Sequence, residues 1–276
     1  MNIIITGASG FIGQNITKYF KNNYENVIAV SRKKNNLVDY VVKDYGEVIS
    51  LCNKDSFLIH LADNNINNNS ANNFNLDILI ELANFFSDKM IYISSAAVYA
   101  KSNNKLNENS PTFDHNNYVR NKLLSEKIVL NNNGIVLRLS NVYGKYMSKC
   151  TIFYDIIRQI NSERIILNNF YSIRDFIFID DISLLMHKIV LKPVSGIYNV
   201  GTGKATSIKK LTNEIIKNYG KKKDIYEYIS KNTIKSSLVL DVSYVKKVFK
   251  WSAEFTINKG VEEFIKYEKK IAIFNK

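Results

Sequence analysis

Apolar residues follow two rhythms along this chain. In the first half they form short unbroken runs at residues 2–6, 26–31, 40–43, 56–62, 89–95 and 134–139, rich in β-branched side chains. Such runs predict strands buried on both faces of a sheet. Stretches that read as helix lie between most of them, including residues 75–86 and 118–130. Repeated β-α-β units imply an α/β fold of Rossmann type, with a doubly wound parallel sheet. After Gly144 the rhythm loosens. Residues 152–160, 207–219, 242–249 and 258–269 predict helices, and 174–179 and 196–200 predict strands. We therefore expect a main domain of residues 1–145 plus about 174–200, and a smaller lobe of about 146–173 plus 201–276. Residues 64–75 are rich in Asn and predict a surface loop.

Bulk properties change this little. A chain of 276 residues accommodates one large domain with a smaller lobe. No apolar run reaches the ~18 residues of a membrane span. The first residues lack a basic segment followed by a long apolar stretch, so no secretion signal is expected. Cys52 and Cys150 offer no disulfide framework. A cytoplasmic enzyme without a membrane partner is the expectation. The net charge of +13 raises nucleic-acid binding. The lysines are spread along the chain, however, with no basic tail and no aromatic-basic stripe. The charge reads as compositional bias, and a positive surface also attracts anionic nucleotides.

Chemistry enters at residues 6–13, Thr-Gly-Ala-Ser-Gly-Phe-Ile-Gly, between the first strand and a helix. A glycine-rich turn there aims backbone N–H groups and the positive end of a helix dipole at an anion. Gly7, Gly10 and Gly13 stand in a G-x-x-G-x-x-G spacing that admits a dinucleotide pyrophosphate. The second strand ends in Ser31-Arg32-Lys33-Lys34, with no carboxylate before Asp39. A carboxylate at this point holds the ribose 2′-hydroxyl of NAD, whereas Arg accommodates the 2′-phosphate of NADP. Ser31 and Arg32 therefore favour NADP(H) over NAD(H). Asp44, after the third strand, is a candidate to meet the adenine amino group.

Tyr118 and Lys122 lie four apart and share a helix face. An ammonium beside a phenol favours tyrosinate, which suits Tyr118 to exchange a proton with a substrate oxygen. Lys122 can also bond the nicotinamide ribose. Ser94 and Ser95 end a buried strand, at the sheet edge where ligands bind. A serine hydroxyl there either bonds the substrate oxygen or caps the following turn.

With these residues in place, the chain resembles the extended short-chain dehydrogenase/reductases of the nucleotide-sugar epimerase/dehydratase family. The resemblance covers nearly the whole length. It is carried by GASGFIG at 7–13, HLAD at 60–63, SSAAVY at 94–99, YVRNK at 118–122, RLSNVYG at 138–144, IRDFIFIDD at 173–181 and YNVGTG at 198–203. It implies catalytic roles for Ser95, Tyr118 and Lys122. It also implies cofactor contacts near Gly7, Gly10, Phe11, Ile12, Leu61 and Ala62. Asn141 and Arg174 would meet the diphosphate of a nucleoside-diphosphate sugar. For Arg174 the alternative is an ion pair with Asp175 or Asp181, and Asp181 itself reads as a helix cap. Lys235 would replace a late Arg as a phosphate contact. No metal is implied, and family members often form homodimers through paired helices.

The same resemblance narrows the reaction. Family 4,6-dehydratases carry Asp-Glu after the serine, and here Ala96-Ala97 cannot transfer protons. Dehydration is disfavoured, as is combined epimerisation and reduction, which uses a Cys at the position of Ala97. The favoured reading is NADPH-dependent reduction of the C4 ketone of a nucleoside-diphosphate 4-keto-6-deoxy sugar, in making a deoxysugar for surface polysaccharide. An NAD-dependent 4-epimerase and a non-catalytic NADP-binding protein remain as alternatives.

Overall fold

The computed structural model describes residues 1–62, 76–227 and 236–274. The chain begins with β1 (Ile3–Thr6), α1 (Phe11–Asn23), β2 (Val27–Ser31), β3 (Tyr40–Val41) and β4 (Phe57–His60). It continues through α2 (Leu76–Phe86), β5 (Met90–Ser95), α3 (Asn117–Asn131) and β6 (Ile135–Leu139). The second part holds β7 (Asn141–Tyr143), α4 (Ile152–Arg158), β8 (Arg164–Leu167), β9 (Ile173–Arg174), β10 (Phe176–Phe178), α5 (Ile179–Leu191) and β11 (Gly196–Val200). It ends with β12 (Thr206–Ser207), α6 (Ile208–Asn218), β13 (Asp224–Glu227), β14 (Ser237–Leu238), α7 (Ser243–Phe249) and α8 (Ile257–Phe274).

Seven strands form one parallel sheet in the order β11-β6-β5-β4-β1-β2-β3. The strands are continuously apolar because both faces are covered. Ile3 and Ile5 of β1 pack with Ile16 and Phe20 of α1 and with Leu185 and Ile189 of α5. Ile4, one residue on, points the other way and packs with Leu79, Leu82 and Phe86 of α2. Each such fully buried side chain contributes about 1.5–3 kcal/mol. The strand order reverses at β1, between β4 and β2. The crevice at the carboxyl ends of strands beside such a reversal is where open α/β sheets bind ligands.

A second core lies beyond the sheet. Tyr143, Phe153, Phe176 and Phe178 meet Leu211 and Ile215 of α6 and Val261 and Phe264 of α8. Short pairings frame it: β7 with β10, β8 with β13, and β9 with both β12 and β14. Val245, Phe249 and Trp251 instead pack into the core of the main sheet.

Three sequence expectations change. The strand expected at 174–179 is divided between β9 and β10, which belong to different sheets. The intervening Asp175 is fully buried. Its carboxylate accepts from Thr202 N at 2.8 Å, Thr202 Oγ1 at 2.6 Å and Gly203 N at 2.9 Å. That knot turns the chain from one sheet to the next. Asp181 does not cap a helix. Helix α5 already starts at Ile179, and the Asp181 carboxylate accepts from Glu254 N at 2.9 Å and Phe255 N at 3.2 Å. The third strand is also shorter than expected, because Asp44 and Glu47 form a capping box that opens a 3-10 helix at Tyr45–Leu51.

Candidate active site

The glycine turn leaves β1 at the reversal point. Gly7 has φ +67°, and a Cβ there would lie 2.8 Å from both Ala62 N and Leu61 C. A Cβ on Gly13 would overlap the Gly7 carbonyl, 2.8 Å from its carbon. The turn therefore folds tightly against the end of β4 only with hydrogen at both positions. Gly10 caps α1 without a side-chain hydrogen bond, and the first turn of α1, from Phe11, carries no acidic residue. The first N–H groups of a helix lack intrahelical partners, so this end suits an anion. These features fit the pyrophosphate of a dinucleotide.

At the end of β2, Ser31 is buried and its Oγ lies 2.6 Å from Ser9 Oγ. Arg32 is exposed, its guanidinium 5.8 Å from the Tyr45 ring centroid. Asp39, the first acid beyond them, is engaged elsewhere. Its carboxylate accepts from Ala29 N at 2.8 Å and pairs with Lys21 Nζ at 2.7 Å. Asp44 Oδ1 accepts from Gly46 N at 2.8 Å, so this residue serves at least as a cap.

A cavity of about 270 Å³ opens at the carboxyl ends of β4, β5 and β6. It is lined by Ile12, Leu61 and Ala62 together with Ser95, Tyr118 and Lys122. The sequence thus places six of its candidate residues around one space. Tyr118 occupies the first turn of α3, whose N-cap Asn116 accepts from Val119 N at 2.9 Å. Lys122 is 5 % exposed, and its Nζ donates to Ile93 O at 2.6 Å. That ammonium lies 4.8 Å from the Tyr92 ring centroid and 5.8 Å from that of Tyr118. Ser95 Oγ accepts from Ala97 N at 3.1 Å. The capping bond occupies the oxygen as acceptor and leaves the hydroxyl hydrogen to be donated. Capping and substrate contact are therefore compatible in Ser95.

The remaining candidates lie apart. Asn141 and Arg174 are absent from the cavity lining. Asn141 is exposed, with its N–H donating to Asp175 O at 2.9 Å. Arg174 is half-buried, and desolvation lowers its pKa from the ordinary arginine value. Its guanidinium donates to Ile173 O at 2.8 Å and to Ser236 O and Oγ at 3.0 and 2.8 Å. Neither Asp175 nor Asp181 pairs with it, so the expected alternative of an ion pair is not realised. Lys235 lies outside the described residues.

The site is tied to two residues to which sequence reasoning assigned no role, Glu126 and Arg138. Ser94, next to Ser95, is buried and donates its hydroxyl to Glu126. Glu126 accepts from Arg138 Nε at 3.0 Å and Nη2 at 2.6 Å. Burial pulls the Arg138 guanidinium down, but the bonds and charge of Glu126 outweigh it and hold its pKa above the ordinary value. His60, also in the cavity wall, lies 2.9 Å by Nδ1 from Thr6 Oγ1. A signal was present: an arginine inside the apolar run 134–139 requires a buried anion.

A reversing parallel sheet, a glycine turn and a Tyr-Lys-Ser cluster over one cavity define a pyridine-dinucleotide oxidoreductase of the extended short-chain dehydrogenase/reductase type. Residues 3–201 match the NAD dependent epimerase/dehydratase family, and the chain belongs to it. It is 26% identical over 303 residues to the "Putative UDP-glucose 4-epimerase" of Methanocaldococcus jannaschii, covering 97% of this chain and 98% of the relative. It is 25% identical over 305 residues to the dTDP-4-dehydro-6-deoxyglucose reductase of Escherichia coli, covering 96% of each. The crystal structure of dTDP-glucose 4,6-dehydratase from Bacillus anthracis in complex with NAD superposes with a TM-score of 0.82 at 22% identity, covering 98% of this chain and 97% of that one.

Proposed function

We propose that this enzyme reduces the C4 ketone of a nucleoside-diphosphate 4-keto-6-deoxy sugar with NADPH. The observation that carries the reading is the convergence of Ser95, Tyr118 and Lys122 on one cavity beside the glycine turn. Bound NADPH supplies the hydride. Ser95 donates its free hydroxyl hydrogen to the ketone oxygen and orients it. Tyr118 gives that oxygen its proton as it becomes an alkoxide. Lys122, buried with its ammonium near the phenol, favours the tyrosinate left behind. Gly7, Gly10, Phe11, Ile12, Gly13, Leu61 and Ala62 would hold the dinucleotide, with Ser31 and Arg32 on the 2′-phosphate and Asp44 near the adenine. Asn141, Arg174 and Lys235 would take the sugar diphosphate at the lobe of residues 146–173 plus 201–276.

Ala96 and Ala97 support reduction over dehydration, since neither transfers a proton. The engagement of the Asp39 carboxylate by the Lys21 ammonium and the Ala29 N–H supports NADPH, because its charge is already paired away from a 2′-phosphate. A second reading, 4-epimerisation by a tightly held NAD, draws support from the full-length similarity to the M. jannaschii protein. One assay separates them. A panel of 4-keto sugar nucleotides is incubated with NADPH and followed by dinucleotide oxidation and product mass. The reductase consumes NADPH and adds two hydrogens to the sugar. Interconversion of UDP-hexoses without added dinucleotide, with no NADPH consumption, would establish the epimerase instead.

A further inference from the structure

We propose that the buried Glu126–Arg138 pair is a positioning unit that sets α3, and with it Tyr118 and Lys122, in register with the end of β5. The inference rests on the reading that Ser95, Tyr118 and Lys122 carry the chemistry. Tyr118, Lys122 and Glu126 recur at four-residue intervals and so share one face of α3. That face is tied to the sheet at two successive residues of β5. Lys122 Nζ donates to Ile93 O at 2.6 Å, and the Ser94 hydroxyl donates to Glu126. Both ties immediately precede Ser95.

Arg138 completes the arrangement from the neighbouring strand. It stands opposite Ser94 in the β5–β6 register. One carboxylate therefore receives side chains from adjacent positions on two strands. The side chains of Arg138 and Glu126 are 5% and 4% exposed. Arg138 is fixed in turn by Nη1 donating to Glu108 O at 3.2 Å and by the Tyr99 ring, 4.9 Å from its guanidinium. Tyr99 Oη then donates to Asn199 Oδ1 at 2.7 Å, on β11. Two strands and one helix thus meet at the pair, and Tyr99 links it to a third strand, β11.

A buried ion pair stabilises a fold little better than apolar packing would. A two-pronged guanidinium–carboxylate contact does fix direction, which apolar packing does not. Catalytic geometry needs that direction, since displacement of a reacting group by about 1 Å can cost about a hundredfold in rate. A slide of α3 along β5 would carry the Tyr118 phenol away from Ser95.

The test compares Glu126→Gln, Ser94→Ala and Arg138→Lys with wild type, and includes Tyr118→Phe. Turnover is measured with NADPH and a nucleoside-diphosphate 4-keto-6-deoxyhexose, and NADPH affinity by fluorescence quenching. Glu126→Gln is expected to lower kcat by about ten- to a hundredfold while NADPH affinity stays within about threefold. Arg138→Lys keeps the charge, loses the fork and falls with it. Ser94→Ala falls in the same direction by less. The kcat–pH profile moves in Glu126→Gln, as loss of stability alone would not make it do. Crystal structures of wild type and Glu126→Gln give a readout without turnover: the Tyr118 phenol is displaced from Ser95 while the sheet superposes. A folded Glu126→Gln enzyme with wild-type kcat, pH profile and Tyr118 placement overturns the proposal. If that variant does not fold, wild-type kcat in Ser94→Ala overturns it. Undiminished turnover in Tyr118→Phe would reject the underlying reading, and the positioning role with it.

Discussion

The two halves of the candidate site are built differently. At the head of α1, position is set by the backbone: Gly7 and Gly13 have no room for a Cβ, and the helix end needs no side-chain cap. At the end of β5, position is set by side chains reaching across the fold: Lys122 to Ile93, Ser94 to Glu126, and Glu126 to Arg138. A backbone cradle tolerates almost no added volume. A side-chain scaffold can lose one outer member and keep its fold and its dinucleotide, while turnover falls. The first kind suits binding of an invariant pyrophosphate, and the second suits orientation of a reacting oxygen.

Gly13→Ala should break the first half most severely. The added carbon collides with the Gly7 carbonyl, and Gly7 is itself held against Leu61 and Ala62. We expect a loss of about 3 kcal/mol in stability and no measurable dinucleotide binding, read by thermal unfolding and fluorescence titration. Lys122→Met separates the halves. It keeps the volume and removes the ammonium, so kcat should fall about a hundredfold or more while the dinucleotide still binds. Equal loss of binding and turnover would mean that the two halves are not separable.

Arg32→Glu probes the rim of the cradle with a smaller effect. Arg32 is exposed, so the contact proposed for it with a 2′-phosphate would be screened. The NADPH-over-NADH preference in kcat/KM should fall by about tenfold; an unchanged ratio would remove Arg32 from the cofactor site.

The smallest effect concerns pH. Burial raises the Asp181 carboxyl above the ordinary carboxylate value, with the bonds from Glu254 and Phe255 opposing it. A raised folded value means that its contribution to stability is complete below the ordinary range and is lost as pH rises through the raised value. The stability of wild type relative to Asp181→Asn should therefore decline as pH rises above the ordinary carboxylate range, as read by urea unfolding at each pH. A difference that grows as pH rises would contradict the assigned direction.

What the sequence disclosed follows the same division. The parallel sheet was legible because continuous apolar strands such as Ile3-Ile4-Ile5 have only one comfortable environment. The cradle was legible because glycines spaced three apart mark a backbone constraint that is local. Tyr118 and Lys122 were legible through helical spacing. Arg138 was legible only as a charge inside an apolar run that calls for a buried anion, and Glu126 not at all, since their pairing joins a helix to a strand. The division of 174–179 was hidden for a similar reason: the donors to the Asp175 carboxylate lie at Thr202, Gly203 and Leu240, far along the chain. Asp181 looked like a cap because its true partners, Glu254 and Phe255, come more than seventy residues later.

The central claim is that the Tyr118 phenol delivers the proton during NADPH-dependent ketone reduction. Its most direct measurement is single-turnover oxidation of NADPH on a 4-keto-6-deoxy sugar nucleotide, comparing wild type with Tyr118→Phe. The account predicts one product per NADPH in wild type and a rate lower by about a hundredfold or more in the variant, with NADPH affinity unchanged. Equal rates in the two proteins would contradict it.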